Sequence, residues 1–548
     1  MDAKITPSAV SGAFHQAVEL TWGLGLLARS GVVAPMRPDR ALGIAGSWLR
    51  YGLTMATGYA AGAARHPDRA AVIDERGMLT YAEVHERSDR LAKALADRKV
   101  GEHTAVGILC RNHRGPVECA VAAAKLGADV VLLNTALSAE TLRSVIQQQN
   151  IDVVVADEEF GDQLTELPTR VKVITAWTDE ASPRKDTLDK MIERGGESSL
   201  PLRPEPGKLI VLTSGTTGTP KGASRPTPKS WAPAGAILSR IPFQAGETTF
   251  IAPPLFHTWG FAGQQLAMLM GCTVVLHRKF KPADALRAMA EHRCSVLLAV
   301  PVMLSRILEL PTAELERYDV RLRITAASGS ALSGDLATRF MDRFGDVLYN
   351  LYGSTEVSWV SIADPSDLRA DPATAGRAPF GTTLKILDGD DKEVPTGEIG
   401  RVFVQNDMLF EGYTGKSADL DVVDGMMGTG DLGHLDENGR LFITGRSDSM
   451  IVSGGENVYP GPVEDLLSKR PEVREAAVVG VDDDDFGQRL AAYIVLADDA
   501  KLDADDVRTM VKTELSRFSV PRDVVFLDEL PRNPTGKVVA RELPPSTG

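Results

Sequence analysis

The stretch "GADVVLLNTALSAETLRSVIQQQNIDVVVAD" that starts at Gly127 returns in altered form from Gly271 as "GCTVVLHRKFKPADALRAMAEHRCSVLLAV". Gly127, Val130, Val131, Leu132, Leu142 and Arg143 recur at Gly271, Val274, Val275, Leu276, Leu286 and Arg287, a constant offset of 144 residues (Gly271 against Gly127). Each copy reads as an apolar strand, a helix and a second apolar strand, the alternation of a parallel α/β sheet covered on both faces. Upstream, "AVGILC" and the helical "PVECAVAAAKLG" extend the alternation back to Ala105. A duplication of this kind predicts two related α/β subdomains packed together, with a ligand cleft between them.

The flanks differ in texture. After about Ala378, short alternating strands and Gly-rich turns such as "GEIGRVFVQ" and "DENGRLFITGR" predict a small β subdomain. From "VEDLLSKRPEVREAAVVGV" a compact α/β unit runs to the end, with a boundary at Thr444 to Ser447. At the other end, Thr6-Pro7 marks a helix start, and Val10, Ala13, Phe14, Ala17 and Leu24 share one helical face. Trp22, Trp48 and Tyr51 add amphipathic aromatics, which suit packing on the main body and equally suit a membrane-surface or acyl-delivery role. The expected division is therefore a helical extension over 1–64, a large domain over 65–445 and a small C-terminal domain over 446–548.

Composition removes several classes of function. A formal net charge of -14 argues against a nucleic-acid protein, which carries a basic footprint. Gly52 to Ala64 is too short an apolar run to span a bilayer, and the N-terminus lacks the pattern of a signal peptide. Cys110, Cys119, Cys272 and Cys294 form no close metal-type pairs and read as buried thiols in a reducing cytosol.

Chemistry enters with "LIVLTSGTTGTPKG", Leu209 to Gly222. The apolar run predicts a buried strand, and the loop after it offers Thr213, Ser214, Thr216 and Thr217, with Gly215 and Gly218 allowing close backbone approach. Successive amides in such a turn form an anion nest to which Lys221 adds a point charge. Lys221 follows Pro220 and precedes Gly222, so this phosphate loop is not the Walker type.

Further along stand "PLFHTWG", "ASGSALS", "NLYGSTE", "GTGD", "GRSDSMIVSGGENVYP" and "PRNPTGKV". With the Ser/Thr/Gly loop these seven motifs, in this order, resemble the adenylate-forming superfamily of acyl-CoA synthetases, luciferases and peptide-synthetase adenylation domains over about residues 65 to 540. The resemblance implies a large domain of two related α/β subdomains plus a small β subdomain, followed by a small mobile α+β domain. It implies that a carboxylate attacks the α phosphorus of ATP, releasing pyrophosphate and leaving an acyl-adenylate. Thr213 to Gly218 and Lys221 would cradle the phosphates. Tyr352 would face the adenine, with Gly329, Ser330 and Ala331 on its other side and along the acyl channel; Asn350, Gly353 and Ser354 would join the ATP site, Thr355 would approach the α phosphate, and Glu356 would ligate Mg²⁺. Asp431 and Arg446 would hold the ribose. Lys537 would reach both the substrate carboxylate and the ATP phosphates, Asp448 would be the hinge, and Ser453, Gly454, Gly455 and Glu456 would serve CoA attack after rotation.

Peptide-synthetase adenylation domains place an aspartate near here to pair with an amino group; none stands between Pro254 and Met268, so the resemblance implies a plain carboxylic acid. His257 matches a position near the carboxylate, and Trp259, Phe261 and Gly329 are the expected acyl-pocket residues. "RHPDRAAVIDERGMLTYAEV" and "LNTALSAETL" resemble bacterial fatty-acid ligases, so the expected reaction converts a medium- to long-chain fatty acid, through acyl-AMP, to acyl-CoA. The alternatives are a fatty acyl-AMP ligase that loads a carrier protein and a catalytically inactive acyl or nucleotide sensor. The partners expected are a fatty acid, ATP and CoA, no nucleic acid, a second copy of the chain as a homodimer, and a membrane surface touched through residues 1–64. The expected location is the cytoplasm, with peripheral contact at the inner membrane face.

Overall fold

The computed structural model describes residue 23 and residues 25–179, 186–213, 220–228, 230–414, 420–447, 451–453, 456–483, 487–515, 519–533 and 536–545. Two sheets dominate. In chain numbers, a seven-stranded sheet runs 412–413, 221–225, 209–213, 129–132, 105–109, 151–156, 172–175. An eight-stranded sheet runs 361–363, 348–352, 324–327, 296–299, 248–251, 273–276, 70–74, 77–80. In the first, strand Ala105–Leu109 lies between Asp129–Leu132 and Ile151–Ala156, parallel to both. In the second, strand Thr248–Ile251 lies between Thr273–Leu276 and Val296–Ala299, again parallel to both. The sequence repeat is thus the visible part of a longer structural repeat. It includes the preceding helices, Arg114–Leu126 and Thr258–Leu269, each begun by a histidine at the N-cap. Gly127 and Gly271, at φ 71° and 61°, end the corresponding turns in the left-handed region, where a Cβ would be strained.

The small β subdomain is an antiparallel sheet of Thr383–Leu387, Gly400–Gln405, Met426–Leu435 and Val422–Val423, with Leu441–Arg446 paired to Met426–Leu435. Sheet membership then changes. Ser447 still donates its amide to Gly430 O at 2.8 Å, whereas Ile451–Ser453 pairs within the C-terminal sheet. That sheet holds Glu456–Val458, Ile451–Ser453, Gly487–Leu496, Val473–Asp483 and Asp523–Leu527, covered by helices Pro460–Ser468 and Ala504–Glu514.

Two helices of the N-terminal segment, Pro38–Tyr51 and Met55–Arg65, pack on the large domain. Leu27, Met55 and Tyr59 belong to the same core cluster as the strands beneath them. Tyr59 is fully buried, and its hydroxyl accepts from Gln264 Nε2 at 2.9 Å, which satisfies both polar groups in a dry interior. Residues 1–22 and 24, where most of the expected first helix falls, lie outside the described residues, except Gly23. Among the described residues no helix is long and apolar enough to cross a membrane. All four cysteines are free and buried.

Candidate functional site

Parallel sheets offer ligands the crevice beyond the carboxyl ends of their strands. Here the eight-stranded sheet delivers His257 after strand Thr248–Ile251, Gly329 after Ile324–Ala327, and Gly353 to Glu356 after Leu348–Tyr352. These residues line one open cavity of about 1780 Å³, together with Lys221, Trp259, Arg446 and Lys537. The same cavity is also lined by Ile44, Trp48 and Ala61 of the N-terminal helices.

Glu356 is held on both oxygens. Ser354 Oγ donates to one and the Tyr413 hydroxyl to the other, each at 2.8 Å. Arg225 braces the motif from below by donating to Thr355 O and, at 2.6 Å, to Ser358 Oγ. Burial draws the Arg225 guanidinium down to about 10, partly offset by Glu356, so it stays charged at neutral pH. Thr355 and Thr258 share a hydroxyl hydrogen bond of 3.0 Å, which ties the motif to the helix that His257 begins. A side chain on Gly353 would collide with Ser358 O, so the turn tolerates only glycine.

His257 Nδ1 accepts from the Trp259 amide at 3.4 Å. The ring proton therefore belongs on Nε2, leaving an N–H donor for a ligand in the cavity. Burial, reinforced by the positive charge of Lys537, lowers the His257 pKa to about 4. The imidazole is neutral at pH 7 and can orient a carboxylate without neutralising it. Lys537 arrives on a turn whose Gly536 has φ 82°, and a Cβ there would come 2.5 Å from Val302 Cγ1. Water reaches Lys537, yet protein surrounds it on most sides. Burial first and Arg446 second lower its pKa, while Glu356 and Asp431 pull upward.

Tyr352 donates its hydroxyl to Asp431, whose carboxylate also lies 3.6 Å from Arg446 Nη1. Asp431 and Arg446 are direct cross-strand partners, so the pair is set by sheet register. Asn350 is buried within its strand. Gly329 lines the cavity; Ser330 and the exposed Ala331 follow it outside the lining.

Of the expected acyl-pocket residues, His257, Trp259 and Gly329 line the cavity and Phe261 does not. Phe261 is buried in the core and does not line the large cavity. It follows Trp259 by two positions, a rotation of about 200° on an α-helix. Trp259 therefore takes the cavity face and donates its indole N–H to Ala299 O at 3.1 Å. The sequence reading also missed Arg225 and Tyr413. Arg225 had a signal, because Lys221 and Arg225 lie four apart on one strand and share a face. Tyr413 had none: it reaches Glu356 because strand Gly412–Tyr413 pairs with Lys221–Arg225. Ser214 to Gly218, Asp448, Gly454 and Gly455 lie outside the described residues, as do the side chains of Thr213, Ser453 and Glu456.

This arrangement, a neutral histidine and a doubly hydrogen-bonded glutamate with a lysine from a second unit beyond the ends of parallel strands, together with the Ser/Thr/Gly motif in the sequence, points to a nucleotide-dependent carboxylate-activating class. The chain belongs to the AMP-binding enzyme family, whose model matches residues 59–414, and the family's C-terminal domain matches residues 462–537. It is an adenylate-forming enzyme. It is 31% identical to an indoleacetate–CoA ligase of Aromatoleum aromaticum over 86% of this chain and 94% of the relative. It is 29% identical to ScoC of Streptomyces coeruleorubidus, a fatty acid–acyl-carrier-protein ligase, over 88% and 94%. The o-succinylbenzoate CoA synthetase of Bacillus subtilis, solved with its acyl-adenylate, superposes with a TM-score of 0.77 at 26% identity, over 89% of this chain and 98% of that one.

Proposed function

We propose that this chain is a fatty-acid CoA ligase acting on medium- to long-chain acids. The observation that carries the reading is the continuity of the cavity, from Lys537 and Glu356 to an apolar region walled by Leu266, Leu269, Ile44 and Trp48. A substrate carboxylate oxygen attacks the α phosphorus of ATP, the bond to the bridging oxygen of pyrophosphate breaks, and acyl-AMP forms. The sulfur of CoA, its proton lost, then attacks the acyl carbon and AMP leaves. Lys537 and the His257 Nε2–H hold the carboxylate, and Lys537 also meets the phosphates. Residues 213–218 with Lys221 cradle the phosphates, Tyr352 and Asn350 serve the adenine, and Asp431, fixed by the Tyr352 hydroxyl, takes the ribose with Arg446. The oxygens of Glu356, with the Thr355 hydroxyl beside them, suit Mg²⁺, a hard cation that keeps water and phosphate oxygens as its other ligands. Bound there, Mg²⁺ would neutralise phosphate charge.

Lys537 in the cavity corresponds to the adenylating arrangement, and rotation about Asp448 would bring residues 453–456 to the site for CoA attack. Asp448→Pro should therefore keep acyl-AMP formation and lose most thioester formation, since proline fixes φ. Exposed Leu42 and Trp48 support contact with a lipid surface at the inner face of the membrane; vesicle co-sedimentation tests this, and light scattering tests a homodimer. The deciding experiment incubates the enzyme with ATP, Mg²⁺ and a panel of aliphatic and aromatic acids, with CoA or a carrier protein as acceptor. Mass spectrometry should find acyl-AMP and acyl-CoA from aliphatic acids. Acyl-carrier product without acyl-CoA would move the chain to ScoC-like chemistry, and no acid-dependent pyrophosphate release would mark an inactive sensor.

A further inference from the structure

Most of the N-terminal wall lies outside the residues that the family model matches, which begin at 59. Yet Leu27, Val32, Ile44, Ala45, Trp48 and Leu53 line the cavity that holds the catalytic groups. At about 1780 Å³ it exceeds the roughly 300–1,000 Å³ of an ordinary small-molecule site. The space follows from sequence. Ala41, Ile44, Ala45 and Trp48 fall at i, i+3, i+4 and i+7 of helix Pro38–Tyr51, on one face. Opposite them, Gly58, Ala61 and Gly62 of helix Met55–Arg65 also line the cavity.

The wall is anchored to the helix that carries the chemistry. Gly58 packs so closely on Met268 that a Cβ would collide with its sulfur, and Tyr59 bonds Gln264, both on helix Thr258–Leu269. The two N-terminal helices touch at Gly43, where a Cβ would lie 2.9 Å from Ala64 Cβ. Arg65 ties the preceding loop down by donating to Val32 O at 2.6 Å and Gly31 O at 3.2 Å. Because His257 begins helix Thr258–Leu269, the distance from the carboxylate position to the wall is fixed by one rigid element. Val33, Met36, Trp48 and Trp231 line the cavity and are also exposed, which marks an opening on this side.

We propose that residues 27–62 are the specificity-determining wall of the acyl chamber. The aliphatic tail of the acid runs along helix Thr258–Leu269 from His257 and lies against Ala45 and Ile44, with its end directed at the opening beside Trp48. The inference rests on the fatty-acid reading. Its test is kcat/KM for acyl-AMP formation across straight-chain acids from butanoate to octadecanoate, in the parent chain and in Ala45→Trp, Ala41→Trp and Leu49→Trp. The first two fill the chamber from an exposed helix; Leu49 sits on the same helix outside the lining. The tryptophans should lower kcat/KM for the longest acids about tenfold or more, on the scale of displacing two methylenes. Butanoate should change less than about twofold, and Leu49→Trp should match the parent at every length. Butanoate turnover and the melting temperature report folding, and Ala41→Trp stands in if Ala45→Trp does not fold. A parent with no preference for long acids would sink the fatty-acid reading and the wall with it. A parent that prefers long acids, with an unchanged ratio of long to short in both chamber variants, would sink the wall alone.

Discussion

The two α/β halves each place a histidine at the same point of the repeat, and the surroundings give the two rings opposite fates. His113 and His257, 144 residues apart, both cap a helix by accepting the amide two residues on. His113 is fully buried, gives its other nitrogen to Asp157 at 2.7 Å, and has the Trp177 ring 4.9 Å away. Cys110, His113 and Asp157 form a metal-like trio, but both imidazole nitrogens already have protein partners, and the cluster is core. At the place of Asp157 the second half has Pro301, which has no side-chain acceptor. Where the first half has Glu118, paired with Arg87, the second has Ala262, which lines the cavity. One half is filled and the other hollow. At these two positions the hollow half has small apolar residues where the filled half has paired polar ones, and the next residue, Val302, supplies the contact on which the Lys537 turn docks.

If the hollow half depends on the lysine docked there, Lys537→Ala should slow acyl-AMP formation by two or more orders of magnitude. Thioester formation from supplied acyl-AMP should persist. Stopped half-reaction assays distinguish the two, and equal loss in both would break the assignment. A smaller effect follows from the surroundings of that lysine. Its pKa is lowered by burial, and the charged form is the working one, so kcat/KM for adenylation should fall as pH rises through a value below 10.5. Lys537→Arg should remove that alkaline limb at a lower overall rate.

Acid should weaken the hollow half through its histidine. Above pH 6.5 His257 is neutral in the folded and unfolded chain alike, and it makes no contribution to pH dependence. Between 6.5 and about 4 the unfolded chain binds the proton that the folded site refuses, so stability is lost as pH falls across this window. His66, also lowered to about 4 by burial and neighbouring arginines, acts in the same direction. Melting curves against pH should flatten in His257→Ala. The smallest effect expected is from Tyr413→Phe, which removes one hydrogen bond to Glu356 and should lower kcat/KM about fivefold, near 1 kcal/mol.

The repeat was legible because apolar strand runs and small-residue helix caps survive divergence, and the family was legible because its motifs are contiguous in the chain. Phe261 was misread because a motif offset does not say which helix face a residue occupies. Tyr413 and the wall at Ala45 were invisible for another reason: both reach the site only through strand pairing and helix packing between distant segments.

The contrast between the halves is tested most directly by replacing each histidine with alanine and measuring the melting temperature and the rate of acyl-AMP formation on both variants. His113→Ala leaves Asp157 buried without that partner. It should lower the melting temperature by on the order of 5–10 °C while the folded fraction keeps most of its activity. His257→Ala should melt near the parent at pH 7.5 and lose about tenfold or more in kcat/KM. Equal losses of activity in the two variants, or a stability loss confined to His257→Ala, would contradict the account.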